Sequence, residues 1–293
     1  MLTEQPNPNS TNIDRLSTLE ILQVINQEDQ QVALAVERTL PAVALAVDLL
    51  TERLRQGGRL IYVGAGTSGR LGVLDAVECV PTFGTPPDLV VGMIAGGEQA
   101  LTRAVEGAED DTHTARDDMA QHKLSERDTV VGIAASGRTP YVLGAMHYAT
   151  EIGCKTVGIA CNVPSALLDA VDVPIGVAVG PEVITGSTRL KAGTAQKLVL
   201  NMLSTATMVK LGKVYGNLMV DVQVTNAKLQ QRATNLVSQL TGLDPEVAFE
   251  LLQASENNVK VAAIMHHRQV NMEIARSLLA DAQGNLRAII GDH

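Results

Sequence analysis

The sequence predicts an α/β protein built on a doubly wound, five-stranded parallel sheet, with a helical arm before it and a small helical bundle after it. Three observations carry this prediction. Short runs rich in Val, Ile and Gly alternate with helical patterns through the middle of the chain, the signature of parallel βαβ units. Two of those runs break into a turn of glycines and hydroxyls that leads straight into a helix: Gly64-Ala65-Gly66-Thr67-Ser68-Gly69-Arg70 and Ala135-Ser136-Gly137-Arg138-Thr139-Pro140. The 293 residues are 45% hydrophobic yet hold two Phe and no Trp, the aliphatic composition of strands covered by helices on both faces.

Taken in order, the first dozen residues are polar and are expected to be loose. From Ser17 the pattern turns helical: Leu19, Ile21, Leu22 and Ile25 recur at steps of three and four, and Ser17 with Glu20 resembles a capping box. A second, longer helix is expected over 31–55, bent at Pro41 and stopped by Gly57-Gly58. Two helices ahead of a first strand suit an arm that packs on a neighbouring subunit. Strands are predicted at 60–63, 89–95, 129–135, 155–160 and 173–179, with helices over 68–77, 98–106, 139–151 and 165–170. Pro140 sits well at a helix start. A long helix follows over 188–211 and another over 217–240. Beyond them Asp244-Pro245-Glu246, Asn271-Met272-Glu273 and Gly284-Asn285 mark off three short amphipathic helices. The expected segments are an arm at 1–49, the sheet domain at 50–213, a connecting helix at 214–240 and the C-terminal bundle at 241–293.

The formal charge of −9 argues against nucleic-acid partners, which need a basic surface. Local cations still suit a phosphate, and Arg70, Arg138, Arg189, Lys191 and Lys197 lie in or near glycine-rich segments. Three cysteines without metal-ligand spacing fit a reducing, cytoplasmic setting. No signal peptide and no apolar run of membrane-spanning length is evident, so no membrane partner is expected.

Each glycine–hydroxyl turn brings backbone N–H groups and a helix N-terminus to one point, which suits an anion. The first turn also matches the dinucleotide fingerprint, but the second strand ends Ile94-Ala95-Gly96-Gly97 without the acid that a ribose needs. An ordinary glycine turn, and for Ser136 and Thr139 a plain helix cap, are the alternatives. Two carboxylates stand out. Glu78, in Asp75-Ala76-Val77-Glu78-Cys79-Val80-Pro81, has apolar neighbours that would strip its hydration and favour the protonated form of a general acid. Glu109 follows Val105-Glu106-Gly107-Ala108 in an acidic cluster that by itself reads as a solvated loop. The histidines form no constellation, and no metal is expected.

At these residues the chain resembles the sugar isomerase (SIS) domain, whose members bind phosphosugars through Ser/Thr-rich turns. More narrowly it is similar to the N-acetylmuramic acid 6-phosphate etherases. The specific runs are 61–74, 132–141 and Gly186-Ser187-Thr188-Arg189-Leu190-Lys191-Ala192-Gly193-Thr194-Ala195-Gln196-Lys197, within a resemblance extending from Ile13 to about Asp221. It implies that Glu78 and Glu109 are the functional carboxylates, with Glu78 the proton donor, and lifts Glu109 out of the surface-loop reading. It implies that Thr67, Ser68, Ser136 and Thr139 hold the phosphate with Arg138 nearby. It further implies a homodimer with the site near the subunit boundary, no metal or nucleotide cofactor, and release of D-lactate from the ether. Where the family more often reads Asp-Ala-Ser-Glu-Cys-Pro-Pro, Val77 and Val80 stand here and promise a drier surrounding. An aldose–ketose isomerase and a non-enzymatic phosphosugar sensor are the rival readings.

Overall fold

The computed structural model describes residues 1–292. Two helices, α1 (Thr18–Glu37) and α2 (Leu40–Arg55), precede β1 (Leu60–Gly64) and α3 (Gly66–Phe83). Then come β2 (Val90–Ile94), α4 (Gln99–Thr102), α5 (Thr112–Gln121), β3 (Thr129–Ile133) and α6 (Pro140–Ile152). The sheet is completed by β4 (Lys155–Ala160), α7 (Ala166–Asp169) and β5 (Val173–Gly176), and α8 (Lys191–Lys210) follows. Next are β6 (Val214–Tyr215), β7 (Leu218–Met219), α9 (Ala227–Thr241), α10 (Pro245–Ala254), α11 (Val259–Arg268), α12 (Met272–Asp281) and α13 (Leu286–Ile290). The chain forms two compact units: Met1–Val77 with Pro87–Ser204, and Glu78–Pro86 with the residues from Thr205 onward.

In the first unit the five strands are parallel in the order β2-β1-β3-β4-β5. All five expected strands form, and the order reverses direction between β1 and β3, the position where such sheets bind ligands beyond the carboxyl ends of their strands. Gly64 pairs with Ile133 at the end of that register, so the two glycine–hydroxyl turns leave the sheet side by side. Both faces of the sheet are covered: Ile61, Tyr62, Val63, Val130, Val131 and Ile133 are all fully buried. The close approach of α3 to β1 depends on glycine, since a Cβ on Gly64 would lie 2.6 Å from the Gly69 nitrogen.

Several expectations are corrected. The N-terminal residues are pinned rather than loose. Asn162 donates to the Thr3 hydroxyl at 2.9 Å, Asn7 donates to Glu28 at 2.9 Å, and Ser10 donates to the Val183 carbonyl at 2.7 Å. The break between the first two helices falls at Arg38-Thr39, and Pro41 sits in the first turn of α2, where its missing N–H costs nothing. Between the expected helix at 98–106 and the expected strand at 129–135, where no further helix was expected, the chain forms α5. Its polar face is exposed, only Ala115 and Met119 are buried, and Asp111 caps it by accepting from the His113 and Thr114 N–H groups.

In the second unit, β6 and β7 make an antiparallel hairpin over Gly216-Asn217, so the expected helix begins only where Asn226 accepts from the Leu229 N–H at 2.9 Å. After it come four helices rather than three. The extra break lies at Asn258, which caps α11 through the Val261 N–H. Val237, Leu252, Ala262, Ile264 and Leu286 share one core, so α9 and the hairpin supply the apolar surface that the last helices lack alone. Among the described residues no helix is long and apolar enough to cross a membrane.

Candidate active site

The first turn of α3 is Gly66-Thr67-Ser68-Gly69, whose leading N–H groups have no partner within the helix. The second turn reaches α6 through Gly137, whose φ of +66° is a left-handed conformation, and a Cβ there would sit 2.2 Å from the Ser165 hydroxyl. Ser136 Oγ accepts from the Arg138 N–H at 3.2 Å, leaving its own proton to donate. Thr139 precedes α6 without capping it. Its hydroxyl is therefore not spent on a structural cap, the alternative that the sequence left open.

Both turns line one cavity of about 360 Å³ beyond the carboxyl ends of β1 and β3. Thr67, Ser68, Ser136, Arg138, Thr139 and Glu109 all face it, joined by Thr188 and Glu4. Six of the seven residues expected at the site thus share one pocket. The hydroxyls, open helix ends and one arginine are the kind of donors that a doubly charged oxyanion would require. Cavities of about 500 and 540 Å³ lie elsewhere, but neither receives the two glycine–hydroxyl turns.

Ser68 is buried, and its hydroxyl donates to Gln196 Oε1 on α8 at 2.9 Å, while Gln196 Nε2 is buried with no hydrogen-bond partner among the described residues. Turning that amide over would make Gln196 the donor and release the Ser68 proton to an anion. Lys191, expected as a local cation, is instead buried against Glu28 with Nζ 2.5 Å from Oε2. A side chain tied into the core this way is unavailable to a ligand. Thr188 was not singled out from the sequence, although it stands in the run Gly186-Ser187-Thr188; Glu4 had no local signal at all.

Glu78 is the exception among the expected residues. It is exposed, it does not line the cavity, and it belongs to the second compact unit. The expected loss of hydration is not met within one chain, and the reason is helical periodicity. Ala76 and Cys79 turn inward, at 4% and 2% exposure, whereas Leu74 and Val77 share the outward face with Glu78, at 50% and 61%. The apolar neighbours that are buried, Ala76 and Cys79, lie on a different face, and those on the face of Glu78 are themselves exposed.

Among solved structures the chain is similar to the phosphoheptose isomerase of Francisella tularensis (TM-score 0.54, 18% identity, covering 66% of this chain and 100% of that chain). The phosphoheptose isomerase of Neisseria gonorrhoeae is comparable (TM-score 0.51, 17% identity, 65% of this chain and 98% of that one). Residues 42–150 match the family model for the N-terminal SIS domain of glucokinase regulatory protein. Residues 216–282 match the model for that protein's C-terminal lid domain. The sheet and its paired turns thus define a sugar isomerase (SIS) domain, here followed by a helical unit. Sequence relatives narrow this further. The chain is 56% identical to the N-acetylmuramic acid 6-phosphate etherase of Vibrio vulnificus, over 100% of this chain and 97% of that protein. It is 53% identical to the enzyme of that name from Caldanaerobacter subterraneus, over 99% and 95%. The chain belongs to the N-acetylmuramic acid 6-phosphate etherase family.

Proposed function

We propose that the protein cleaves the lactyl ether of N-acetylmuramic acid 6-phosphate, giving N-acetylglucosamine 6-phosphate and D-lactate in the recycling of cell-wall amino sugars. The observation that carries this reading is the single cavity in which two hydroxyl turns fitted to a phosphate share a wall with Glu109. Remote binding of the phosphate holds the reacting carbons in place. In the ring-opened sugar the C2 proton is α to an aldehyde and therefore acidic. The Glu109 carboxylate takes that proton, the C3–O bond breaks, and an acid protonates the departing lactyl oxygen. The product of this step is an α,β-unsaturated aldehyde. Water then adds at C3, giving up a proton to the carboxylate left by that acid, and C2 is reprotonated by Glu109, whose proton exchanges with solvent.

Glu78 is assigned as the acid on the strength of the family resemblance. Its surroundings support a homodimer in which a second subunit covers this face: Leu74 and Val77 on the same helix are half-exposed or more, and a neighbour covering them would dry the carboxylate as an acid requires. The three cysteines are buried and none forms a disulfide, in keeping with a cytoplasmic protein.

Incubation with N-acetylmuramic acid 6-phosphate followed by a D-lactate assay tests the activity. Each positioned proton transfer contributes about 10²–10⁴-fold, so Glu109→Gln and Glu78→Gln are each expected to slow lactate release by at least about a hundredfold. Near-normal turnover in either would remove that residue from its role. Solvent deuterium at C2 of the product is expected from elimination; its absence would mean direct displacement at C3.

A further inference from the structure

The cavity that holds the hydroxyl turns has a neighbour of different chemistry. A second cavity, about 330 Å³, shares Ala65, Gly66 and Glu109 with it. No serine or threonine lines this second space. Its walls carry Ala95, Ala100, Ala104, Val105 and Ala108, the exposed Glu106 stands at its edge, and its one basic side chain is Arg70. Arg70 is fixed from behind: Nε donates to the Leu101 carbonyl at 3.2 Å and Nη2 to the Arg103 carbonyl at 3.1 Å. Those bonds hold the guanidinium against the segment that forms the wall, and its remaining protons have no acceptor among the described residues. Glu109 is therefore the shared partition between a hydroxyl-lined space and an alanine-rich space with a single anchored cation.

We propose that this second cavity is the lactyl subsite, with Arg70 its carboxylate anchor; the inference rests on the etherase reading above. The substrate has two anionic ends, a phosphate on C6 and a carboxylate on the lactyl group at C3. The first cavity matches the phosphate. A carboxylate beside a methyl group needs a planar fork of N–H donors next to apolar surface of about methyl size, and Arg70 among alanines supplies both. Bulkier side chains at the alanine positions would fill the space. With the two ends in the two cavities, C2 and C3 lie at the shared wall, beside Glu109. Arg70 thus sets specificity for the ether-bearing sugar: the product keeps the phosphate and the N-acetyl group but has lost the only group that Arg70 recognises.

That difference supplies the test. The KM for N-acetylmuramic acid 6-phosphate is measured by D-lactate release, and N-acetylglucosamine 6-phosphate is titrated as a competitive inhibitor. Loss of a charge-assisted contact is expected to raise KM about tenfold or more in Arg70→Gln, with the inhibition constant of the product unchanged within about twofold. Ala104→Leu leaves the Arg70 bonds in place and fills the space from an exposed position; it is expected to raise KM in the same selective way. If KM and the product's inhibition constant rise together in both variants, the space serves a group that the product retains and the proposal falls. It falls equally if neither variant moves KM. Failure of the underlying reading looks different: the unsubstituted protein would release no D-lactate at all, which removes the etherase and this subsite together.

Discussion

Three helices of the first unit meet the same electrostatic problem at their N-termini and answer it in two ways. Every such end leaves N–H groups unpaired and concentrates partial positive charge. At α8 the protein supplies its own anion. Glu182, fully buried, accepts from the Lys191 N–H at 2.8 Å and the Ala192 N–H at 2.9 Å. Burial pushes its carboxyl above the usual carboxylate range, against the pull of those two N–H groups. Lys191 in turn binds Glu28, which also accepts from Asn7 and Asn9. At α3 and α6 the equivalent positions carry glycine, serine and threonine, no side chain caps α6, and the ends face a cavity. A filled helix end is architecture, and an open one is a place for a ligand's charge.

The comparison can be broken in both directions. Thr67→Asp would place a carboxylate at the open end of α3. Repulsion of the phosphate and loss of a hydroxyl contact are together expected to cost about 4 kcal/mol, roughly a thousandfold in KM. The fold should meanwhile hold or gain about 0.3–1 kcal/mol, because an acid suits a helix N-terminus. KM together with the thermal midpoint checks this, and a variant that unfolds earlier would contradict it. Glu182→Ala empties the filled end. Two buried N–H groups lose their acceptor, so a loss of about 2–4 kcal/mol in denaturant unfolding is expected; a change below about 1 kcal/mol would mean that water replaces the carboxylate.

The smallest effect is expected at the opposite ends of the same strands, where Arg59 and Asp128 bridge the starts of β1 and β3. The Arg59 guanidinium donates to both Asp128 oxygens, at 3.2 and 2.8 Å, and the Ser125 N–H adds a third contact at 2.8 Å. Burial opposes ionisation of Asp128, but these donors outweigh it and hold the carboxyl below its usual range. A folded-state value below the unfolded one gives stability that is present above the ordinary carboxylate range and is lost as the pH falls through the lowered value. Asp128→Asn is therefore expected to cost about 1–3 kcal/mol at neutral pH, with the gap to the parent closing as the pH drops below about 4. A gap independent of pH would mean that the pair works by packing alone.

Much of this was legible beforehand because it is local. All five strands are short runs rich in Val, Ile and Gly, and the two turns carry the glycines and hydroxyls that their backbone demands. Helix α5 was hidden because two buried side chains in ten residues leave little periodicity. The pinned N-terminus was hidden because polar side chains such as Thr3, Asn7 and Ser10 signal a loop unless their distant partners, Asn162, Glu28 and Val183, are known. Lys191 looked like a ligand's cation for the same reason.

The sequence by itself determined the class of fold, the two glycine–hydroxyl turns and the membership of a family, since each depends on residues close together along the chain or on a run of identities. Only the tertiary structure decided which charges are free to meet a substrate. It buried Lys191 against Glu28, far away in sequence, set Glu182 under the start of α8, and turned Glu78 outward with Leu74 and Val77. It also set Glu109, which reads as a solvated loop, between a hydroxyl-lined cavity and one lined by alanines and Arg70. Charge acts through space, and distance in space is what a linear pattern does not record.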